Sequence, residues 1–173
     1  MNSTKKFEIR PFEKNVAGRK DFRCGNPKLD AYFYLQVSQD IRRNYARCFV
    51  LHECVSGKIA GFYTLSSMSV PLERLPIPLK KKLPNYSNVP AALIGWLARD
   101  LSFKGQNVGE LLLIDAFKEI VKAADSIGIS VIFVDAIDQK AANFYQSFDF
   151  TPVVDNPLSL FLQIETVRAT MRT

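Results

Sequence analysis

The segment LSFKGQNVGELLLIDAF, residues 101–117, contains the turn on which the predicted fold depends. An apolar run typical of a buried strand precedes it, and apolar residues at helical spacing follow it. Gly105 and Gly109 lie in the connection. We therefore predict a strand, a glycine-containing turn and a helix that begins near Val108.

The same turn has the features of an anion-binding site. Backbone amides at a helix N-terminus face the positive end of the helix dipole, and a pyrophosphate fits there. Lys104 adds a cation, and Asn107 can take a left-handed conformation almost as readily as glycine. The alternative is that the glycines only allow the connection between strand and helix to close, and the motif alone leaves both interpretations open.

The composition suits one ordinary domain with an excess of positive charge. The chain has 173 residues, of which 47% are hydrophobic, and this is enough for a sizeable core. We predict a single domain over residues 1–173. The 23 Lys and Arg exceed the 17 Asp and Glu, and the resulting charge of +6 favours a polyanionic partner, whether nucleic acid, a phosphate-bearing cofactor or an acidic protein.

The cysteines and the N-terminal residues favour a cytoplasmic protein. Cys24, Cys48 and Cys54 have no CxxC spacing, and their odd number argues against a secreted disulfide framework. The start MNSTKKFEIR lacks the apolar stretch of a signal peptide, and no run approaches the roughly 18 apolar residues of a membrane span. We expect a soluble chain in a reducing cytoplasm, with no membrane partner.

The residues before the turn predict strands around one helix. Residues 7–12 are typical of a short strand, and apolar spacing predicts a helix over about residues 28–42. RCFVLHE, residues 47–53, and IAGFYTLSSMSV, residues 59–70, are two antiparallel strands joined by a hairpin turn in CVSGK. Residues 71–90 hold five of the nine prolines and predict an irregular or short helical excursion.

From residue 91 onward, predicted strands alternate with helices. Strands are expected over residues 91–101, 129–137 and 158–164, and helices over residues 108–128, stopped by Gly128, and 139–148. Asp138 can cap the second of these helices. The order of elements predicts an α/β fold with a mixed sheet, and no repeat or second domain is evident.

Several blocks of sequence, in one order, carry a resemblance to a known family. WLARDLSFKGQNVGELLL, residues 96–113, with AANFYQSFDF, residues 141–150, resembles the acetyl-CoA-binding core of the GNAT N-acetyltransferases. DFRCGNPKLDAYF, ARCFVL, IAGFYTLSS and NVPAALIGWLARDLSFKGQ are together similar to the GNAT toxins of bacterial type II toxin–antitoxin modules, which acetylate the α-amino group of aminoacyl-tRNA and so block translation. The resemblance covers about Phe22 to Ile164 and implies the GNAT fold, a splayed mixed β-sheet flanked by helices.

By position, the resemblance implies acetyl-CoA as the acetyl donor. The strand edge that hydrogen-bonds the pantetheine arm corresponds to Leu97, Ala98 and Arg99, and the cofactor would extend the sheet like a short peptide. The pyrophosphate loop of the family, written Gln/Arg-x-x-Gly-x-Gly/Ala, and the amide after it correspond to Lys104, Gly105, Gln106, Asn107, Val108, Gly109 and Glu110. Asn143 would also contact the cofactor.

This sequence departs from the family pattern at four positions. Asn107 replaces a glycine that lets the backbone approach phosphate, which predicts weaker cofactor affinity. Trp96 replaces an arginine common in these toxins, Arg99 stands where an apolar residue is usual, and Asp149 stands where glycine is frequent. The last three changes bear on substrate choice and activity.

The resemblance identifies Tyr145 as the general acid. Acetyl transfer from a thioester to an amine needs a neutral amine, stabilisation of the oxyanion and a proton donor for the departing thiolate. A phenol of pKa about 10 is a mismatched acid for a thiolate whose conjugate acid has a pKa of about 8.5, so hydrogen-bond stabilisation is expected to matter more than complete proton transfer. The alternative is that Phe144 and Tyr145 merely pack the last predicted helix.

No general base or metal site is predicted. His52, the only histidine, lies on a predicted strand and is read as a surface or core residue. The amine of an esterified amino acid is more acidic than that of a free one, so a dedicated base is unnecessary. One histidine and unpaired cysteines, read as structural side chains, do not make a zinc ligand set.

The basic residues are the candidates for recognition of tRNA. They form the clusters Arg19, Lys20 and Arg23; Arg42, Arg43 and Arg47; and Lys80, Lys81 and Lys82. Their aromatic neighbours Phe22, Tyr45 and Tyr86 can stack on unpaired bases. Each cluster alone is typical of a solvated face, but with the family resemblance a tRNA groove is the better interpretation. The resemblance also implies a ribbon-helix-helix antitoxin, which the tail ETVRATMRT could meet, and a homodimer.

Two other functions are compatible with the sequence. One is a GNAT enzyme that acetylates a small amine or a protein N-terminus, with the basic faces incidental. The other is a non-catalytic module that binds acyl-CoA or nucleic acid, which the departures at Asn107 and Trp96 would explain. Released CoA and acetylated aminoacyl-tRNA distinguish all three functions.

Overall fold

A computed structural model of the protein describes residues 5–172. The strands are β1 Phe7–Pro11, β2 Arg47–Glu53, β3 Ile59–Pro71, β4 Asn88–Arg99, β5 Val131–Asp135, β6 Thr151–Val153 and β7 Asn156–Gln163. The helices are α1 Pro27–Ala31, α2 Val37–Arg42, α3 Ile77–Lys80, α4 Val108–Ala124, α5 Gln139–Gln146 and α6 Ile164–Met171. A π-helical turn, Tyr32–Gln36, joins α1 to α2, and Leu72–Arg74 and Leu101–Phe103 are 3-10 turns.

The strands form one mixed sheet in the order β1-β2-β3-β4-β5-β7-β6. β4 and β5 pair in parallel, with Ala91–Ile94 opposite Val131–Val134. The β1/β2, β2/β3, β5/β7 and β6/β7 pairs are antiparallel. The predicted α/β class with a mixed sheet flanked by helices is confirmed.

The described residues divide into two compact units. The first comprises residues 5–66 and 95–116, and its core is built on stacked rings, with the Phe33 and Phe62 centroids 4.3 Å apart and Phe22 tilted against Phe33 at 5.0 Å. The second comprises residues 67–94 and 117–172 and has its own core of aliphatic side chains around Phe133 and Phe161. The single domain over residues 1–173 stays a prediction.

The predicted helix over residues 28–42 is confirmed, with a π turn in its middle. Asn26 caps α1 by accepting hydrogen bonds from the amides of Lys28 and Leu29. A π turn leaves main-chain carbonyls without their usual helical donors. The guanidinium of Arg19 supplies donors, at 3.0 Å to the carbonyl of Phe33 and 2.8 Å to that of Tyr34.

The region predicted as irregular contains regular structure at both ends. Its middle is the short helix α3, as expected, but β4 already begins at Asn88. Pro90 fits in the strand because it needs to provide only an acceptor there: its carbonyl receives the amide of Ser130 at 2.9 Å.

Two elements near the C-terminus were missing from the prediction, and one boundary was wrong. β6 is only three residues long, and α6 begins directly where β7 ends, so neither has a separating turn signal. Ile164 and Val167, one helical turn apart, are the buried residues of α6. α4 ends at Ala124, four residues before Gly128. The amides of the next three residues donate to carbonyls of its last turn, which closes the helix: Asp125 to Lys122, and Ser126 and Ile127 to Ala123.

Candidate active site

The turn between β4 and α4 contains two residues in the left-handed conformation, separated by one residue. Gly105 has φ of 78° and Asn107 has φ of 56°. The predicted left-handed conformation of Asn107 is therefore confirmed. Asparagine tolerates this region better than other side-chain-bearing residues, so the change from glycine keeps the path of the turn.

The turn leaves a row of backbone donors unpaired. Its own bonds use the amides of Lys104 and Gln106, which donate to Leu101 and Phe103, and the first helical bond runs from Leu111 to Asn107. Within residues 5–172, no backbone acceptor faces the amides at positions 105 and 107–110. These are the orphan N–H groups of a helix N-terminus, here at the start of a 17-residue helix. Such a row of donors binds a diphosphate.

A close approach of β3 to β4 fixes the start of α4. A Cβ atom at Gly61 would lie 2.7 Å from the carbonyl oxygen of Ala98 and 2.7 Å from Cδ1 of Leu112. Val108 would be 3.1 Å away. Only glycine therefore allows the first turns of α4 to lie against the end of β4.

Asp100 ties the end of β4 to the segment before α1. Its carboxylate accepts the amide and hydroxyl of Ser102, at 2.8 and 2.5 Å, and the amide of Arg23 at 2.8 Å. The amide of Asp100 in turn donates to the carbonyl of Ala60. Sequence reasoning missed this residue, although D-x-S before a short helical turn is a recognisable side-chain cap.

The strand edge predicted to hold pantetheine follows an irregularity in β4. The parallel register with β5 ends at Ile94. At Trp96 the amide donates to the buried hydroxyl of Thr64 at 3.0 Å, so a side chain of β3 contacts the main chain of β4 at this point. Leu97, Ala98 and Arg99 come directly afterwards, with Ala98 buried and the other two partly buried.

Trp96, which replaces the family's arginine, is part of the aromatic packing of the first unit. Its ring stacks on Tyr32, with centroids 4.2 Å apart and planes 11° apart. The ammonium of Lys28 lies 6.0 Å from the Trp96 ring centroid. The Tyr32 hydroxyl donates to Asp40 at 3.0 Å. A neutral ring therefore stands where the resemblance predicted an arginine.

Tyr145 lies on α5, in the second unit, with a buried ring and a free hydroxyl. The residue is 7% exposed, and its ring packs edge-on against Phe144 and Phe150 at 5.3 and 5.5 Å. Within residues 5–172 the Tyr145 hydroxyl has no hydrogen-bond partner. In the same range, the only side-chain oxygen that is fully buried and lacks a partner belongs to Ser38, so the Tyr145 oxygen is not fully buried. The Tyr145 hydroxyl must therefore reach solvent. Burial raises the pKa of Tyr145, so the phenol is neutral near pH 7.

Asp138 fixes the start of α5, and a left-handed residue, Asp149, follows its end. Asp138 caps the helix through the amide of Ala141 at 2.8 Å, which confirms the predicted cap. Asp149, where the family often has glycine, has φ of 68° and lies just after the helix. Asn143 is exposed, and its side-chain oxygen accepts a hydrogen bond from Gln139 at 2.8 Å.

The basic residues fall into separate places. In the first unit, Arg19, Lys20 and Arg23 line one groove with Lys14 and Tyr34. Elsewhere in that unit, Arg42, Arg43 and Arg47 are exposed around the end of α2 and the start of β2, and Arg47 donates to the carbonyl of Ile41 and the side chain of Asn44. In the second unit, Lys80 is partly buried at the end of α3, and Lys81 and Lys82 are exposed.

His52, Cys24 and Cys48 have structural surroundings, whereas Cys54, which was expected to be at least half-buried like the other cysteines, is exposed. His52 is partly buried on β2 opposite Glu8, and burial lowers its pKa. Cys48 is buried, and burial raises the pKa of the half-buried Cys24 thiol to about 11, which disfavours a thiolate nucleophile.

No cluster of three or more metal-ligating side chains occurs within residues 5–172. None of the helices in this range combines the length and hydropathy of a membrane-spanning segment.

No protein-family model matches the chain, but curated proteins do. The chain is 37% identical over 148 residues to the tRNA-acetylating toxin of Mycobacterium tuberculosis, covering 86% of this chain and 87% of that protein. It is 30% identical over 170 residues to the probable toxin TacT of Sinorhizobium fredii, covering 94% of each.

Solved structures share the same fold along nearly the whole chain. AtaT complexed with acetyl-methionyl-tRNAfMet superposes with a TM-score of 0.87 at 27% identity, covering 95% of this chain and 99% of that one. AtaTR bound with acetyl-CoA gives a TM-score of 0.83 at 27% identity over 96% and 98% of the two chains. A mutant AtaT bound to the C-terminus of the antitoxin AtaR, at 24% identity and a TM-score of 0.82 over 98% and 100%, shows the fold alone. On these identities and this coverage, the chain belongs to the family of tRNA-acetylating toxins, which have the GNAT fold.

Proposed function

We propose that this protein transfers the acetyl group of acetyl-CoA to the α-amino group of aminoacyl-tRNA and so blocks translation. The observation that carries the proposal is the row of unpaired amides before α4, shaped by the left-handed Gly105 and Asn107. It belongs to a chain that is 37% identical to a tRNA-acetylating toxin. An acetylated aminoacyl-tRNA lacks the free amine that elongation requires.

The cofactor would be held by backbone donors rather than by side chains. The amides of the turn, with the exposed Lys104 beside them, suit the diphosphate of acetyl-CoA. Leu97, Ala98 and Arg99 follow the last residue of β4 that pairs with β5, so this stretch suits hydrogen bonds to the pantetheine arm. The AtaTR structure bound with acetyl-CoA supports the choice of donor.

Tyr145 would stabilise the departing thiolate. When bound, acetyl-CoA supplies the activated acetyl group, and loss of CoA leaves a thiolate that needs a hydrogen-bond donor. The Tyr145 hydroxyl has no partner within residues 5–172 and reaches solvent, so it is free to donate. Its raised pKa widens the mismatch with a thiol. Tyr145 therefore acts as a hydrogen-bond donor to the thiolate, and the proton that the amine nitrogen loses on forming the N–C bond balances the one that the CoA sulfur gains.

The acceptor would be recognised through charge. Lys20, Arg23, Arg42, Arg43, Lys81 and Lys82 are exposed, and exposed cations suit the phosphates of tRNA. The AtaT structure with acetyl-methionyl-tRNAfMet supports an RNA-linked acceptor. The amine of an esterified amino acid is neutral to a large extent near pH 7, so no general base is needed.

The remaining partners follow from the same function. A toxin of this kind needs an antitoxin, and we assign that antitoxin a ribbon-helix-helix fold. The exposed side of α6, which includes Met171, is the segment we assign to that contact. Both substrates are cytoplasmic, so the protein acts there, and we propose a homodimer as its assembly.

The decisive experiment is incubation with acetyl-CoA and a mixture of charged tRNAs, followed by mass spectrometry of the released aminoacyl groups. We expect acetylated amino acids from the native protein and almost none from Tyr145→Phe. CoA released with a small amine or a peptide N-terminus, but never with charged tRNA, would favour the general N-acetyltransferase. If no amine causes release of CoA, the protein is a non-catalytic module that binds acyl-CoA or nucleic acid.

A further inference from the structure

We propose that the groove lined by the segment between β1 and α1 is a second phosphate site, separate from the amides of the acetyl-CoA turn, which holds the sugar–phosphate backbone of the bound tRNA. This inference rests on the proposed function and specifies how it recognises its acceptor. The groove has a volume of about 660 Å³ and lies within the first unit. Its lining includes Lys14, Arg19, Lys20 and Arg23, against the single carboxylate of Asp21.

Arg23 is held so that one side of its guanidinium faces outward. Its Nη1 carries two hydrogens, which the carbonyls of Lys20 and Phe22, at 2.8 and 2.7 Å, and the Tyr34 hydroxyl share as acceptors. The guanidinium also lies 5.1 Å from the Tyr34 ring centroid. Within residues 5–172, Nε and Nη2 have no acceptor, and this edge matches two phosphate oxygens. Because the group is already ordered, binding loses little side-chain entropy.

Arg19 lies in the same groove, but its donors are used by main-chain carbonyls. Its Nε, Nη1 and Nη2 donate to the carbonyls of Phe33, Lys14 and Tyr34, and its guanidinium lies 5.0 Å from the Phe12 ring centroid. These contacts fix the groove wall to the π turn. Arg19 therefore adds positive charge to the wall while its donors support the fold.

The lysines of the groove are free to pair with a ligand. Lys14 and Lys20 are exposed, and within residues 5–172 neither ammonium group has a hydrogen bond or an ion pair. Asp21 forms no ion pair in the same range, so its carboxylate occupies none of the cationic groups directly. The four cations against one carboxylate leave the groove strongly positive.

The shape favours a polymer backbone over a small anion. Lys14, Lys20, Asp21 and Arg23 are all exposed, so the groove is open along its length rather than closed around one ion. Spaced cations on an open surface suit successive phosphates of a strand. The chemistry therefore points to RNA.

The test is the salt dependence of tRNA binding by the double variant Lys14→Gln/Lys20→Gln. These side chains make no intramolecular bonds in the described range, so the fold is expected to persist, and acetyl-CoA affinity serves as the check. We expect the dissociation constant for tRNA to rise about tenfold near 0.1 M salt and the slope of log K against log salt to fall by about two. The matched control is Lys118→Gln/Lys122→Gln, two exposed lysines on α4 with the same charge change, which should leave the slope unaltered.

Arg23→Lys separates geometry from charge. The variant keeps the positive charge but loses the planar pair of donors, so tRNA affinity should fall while the salt slope stays near that of the native protein. An unchanged slope in the lysine double variant, an equal loss in the control pair, or stronger binding to phosphatidylserine vesicles than to tRNA would each overturn the groove assignment. Failure of the native protein to acetylate charged tRNA would instead refute the proposed function, because groove binding is measured without acetyl-CoA.

Discussion

Individual side chains decide the conformation of the backbone in two turns, one before α4 and one after α5. Asn107 and Asp149 stand where the family pattern has glycine, and both have positive φ, at 56° and 68°. Short polar side chains tolerate this region, so the loss of glycine does not require a new path for either turn. The Thr64 hydroxyl likewise accepts the main-chain amide of Trp96.

At Tyr145, removal of the hydroxyl should separate chemistry from stability. We expect Tyr145→Phe to lower turnover by about 100-fold, the low end of general-acid contributions, while acetyl-CoA affinity is preserved. Thermal stability should hardly change, because the hydroxyl has no partner within residues 5–172. CoA release at saturating substrate and calorimetric titration measure the two effects, with Tyr86→Phe, at an exposed tyrosine, as the control. Native turnover in Tyr145→Phe would exclude the assigned role.

Thr64 should be required for its hydroxyl rather than its methyl group. Thr64→Val keeps the shape but removes the hydroxyl that accepts the Trp96 amide, so the free energy of unfolding should fall by about 1–3 kcal/mol. Thr64→Ser retains the oxygen and should lose less. Urea unfolding of both variants makes the comparison, and equal losses would argue that packing, not the hydrogen bond, matters at this position.

At the scale of elements, the position of α4 depends on how closely it lies against β3 and β4. Gly61 allows the approach from the sheet side, and Asp100 holds the end of β4 through Ser102 and Arg23. The π turn between α1 and α2 depends in the same way on Arg19. Each element is thus positioned by a residue distant in the chain.

A methyl group at position 61 should displace the start of α4. Gly61→Ala places Cβ 2.7 Å from the Ala98 carbonyl and from Leu112, so we expect a loss of about 1–3 kcal/mol in unfolding free energy and weaker acetyl-CoA binding. Gly128→Ala is the control, since a Cβ there meets nothing within 4 Å. Both quantities are accessible by urea unfolding and titration. If Gly61→Ala binds acetyl-CoA as the native protein does, the close approach does not position the site.

For the whole molecule, charge and burial set the response to solution conditions. The net charge of +6 favours association with polyanions, and salt should weaken it. Buried phenols set the response to alkali, because burial raises the pKa of both Tyr32 and Tyr145.

The stability of the protein should fall above about pH 10. Below this value the two tyrosines are protonated in both the folded and the unfolded chain, so their contribution to stability is fully present. Above it the unfolded chain loses protons that the folded chain retains, and the equilibrium shifts toward unfolding. Urea unfolding at several pH values from 8 to about 11 should show this decline, and Tyr145→Phe should make it shallower. A decline of equal steepness in that variant would assign the effect to other groups.

The sequence alone determined the local features of this protein. Hydrophobic periodicity predicted most strands and helices, and the asparagine between two glycines predicted a left-handed corner, because both depend on residues close in the chain. β6 and α6 escaped prediction because they are short or follow directly on another element. The tertiary structure decided which polar groups meet: Asp100 with Arg23, and Arg19 with the π turn. Those contacts join residues that are separated in sequence, so only the folded chain brings them together. The folded structure therefore distinguishes a cation that supports the fold, such as Arg19, from one that is free to bind RNA.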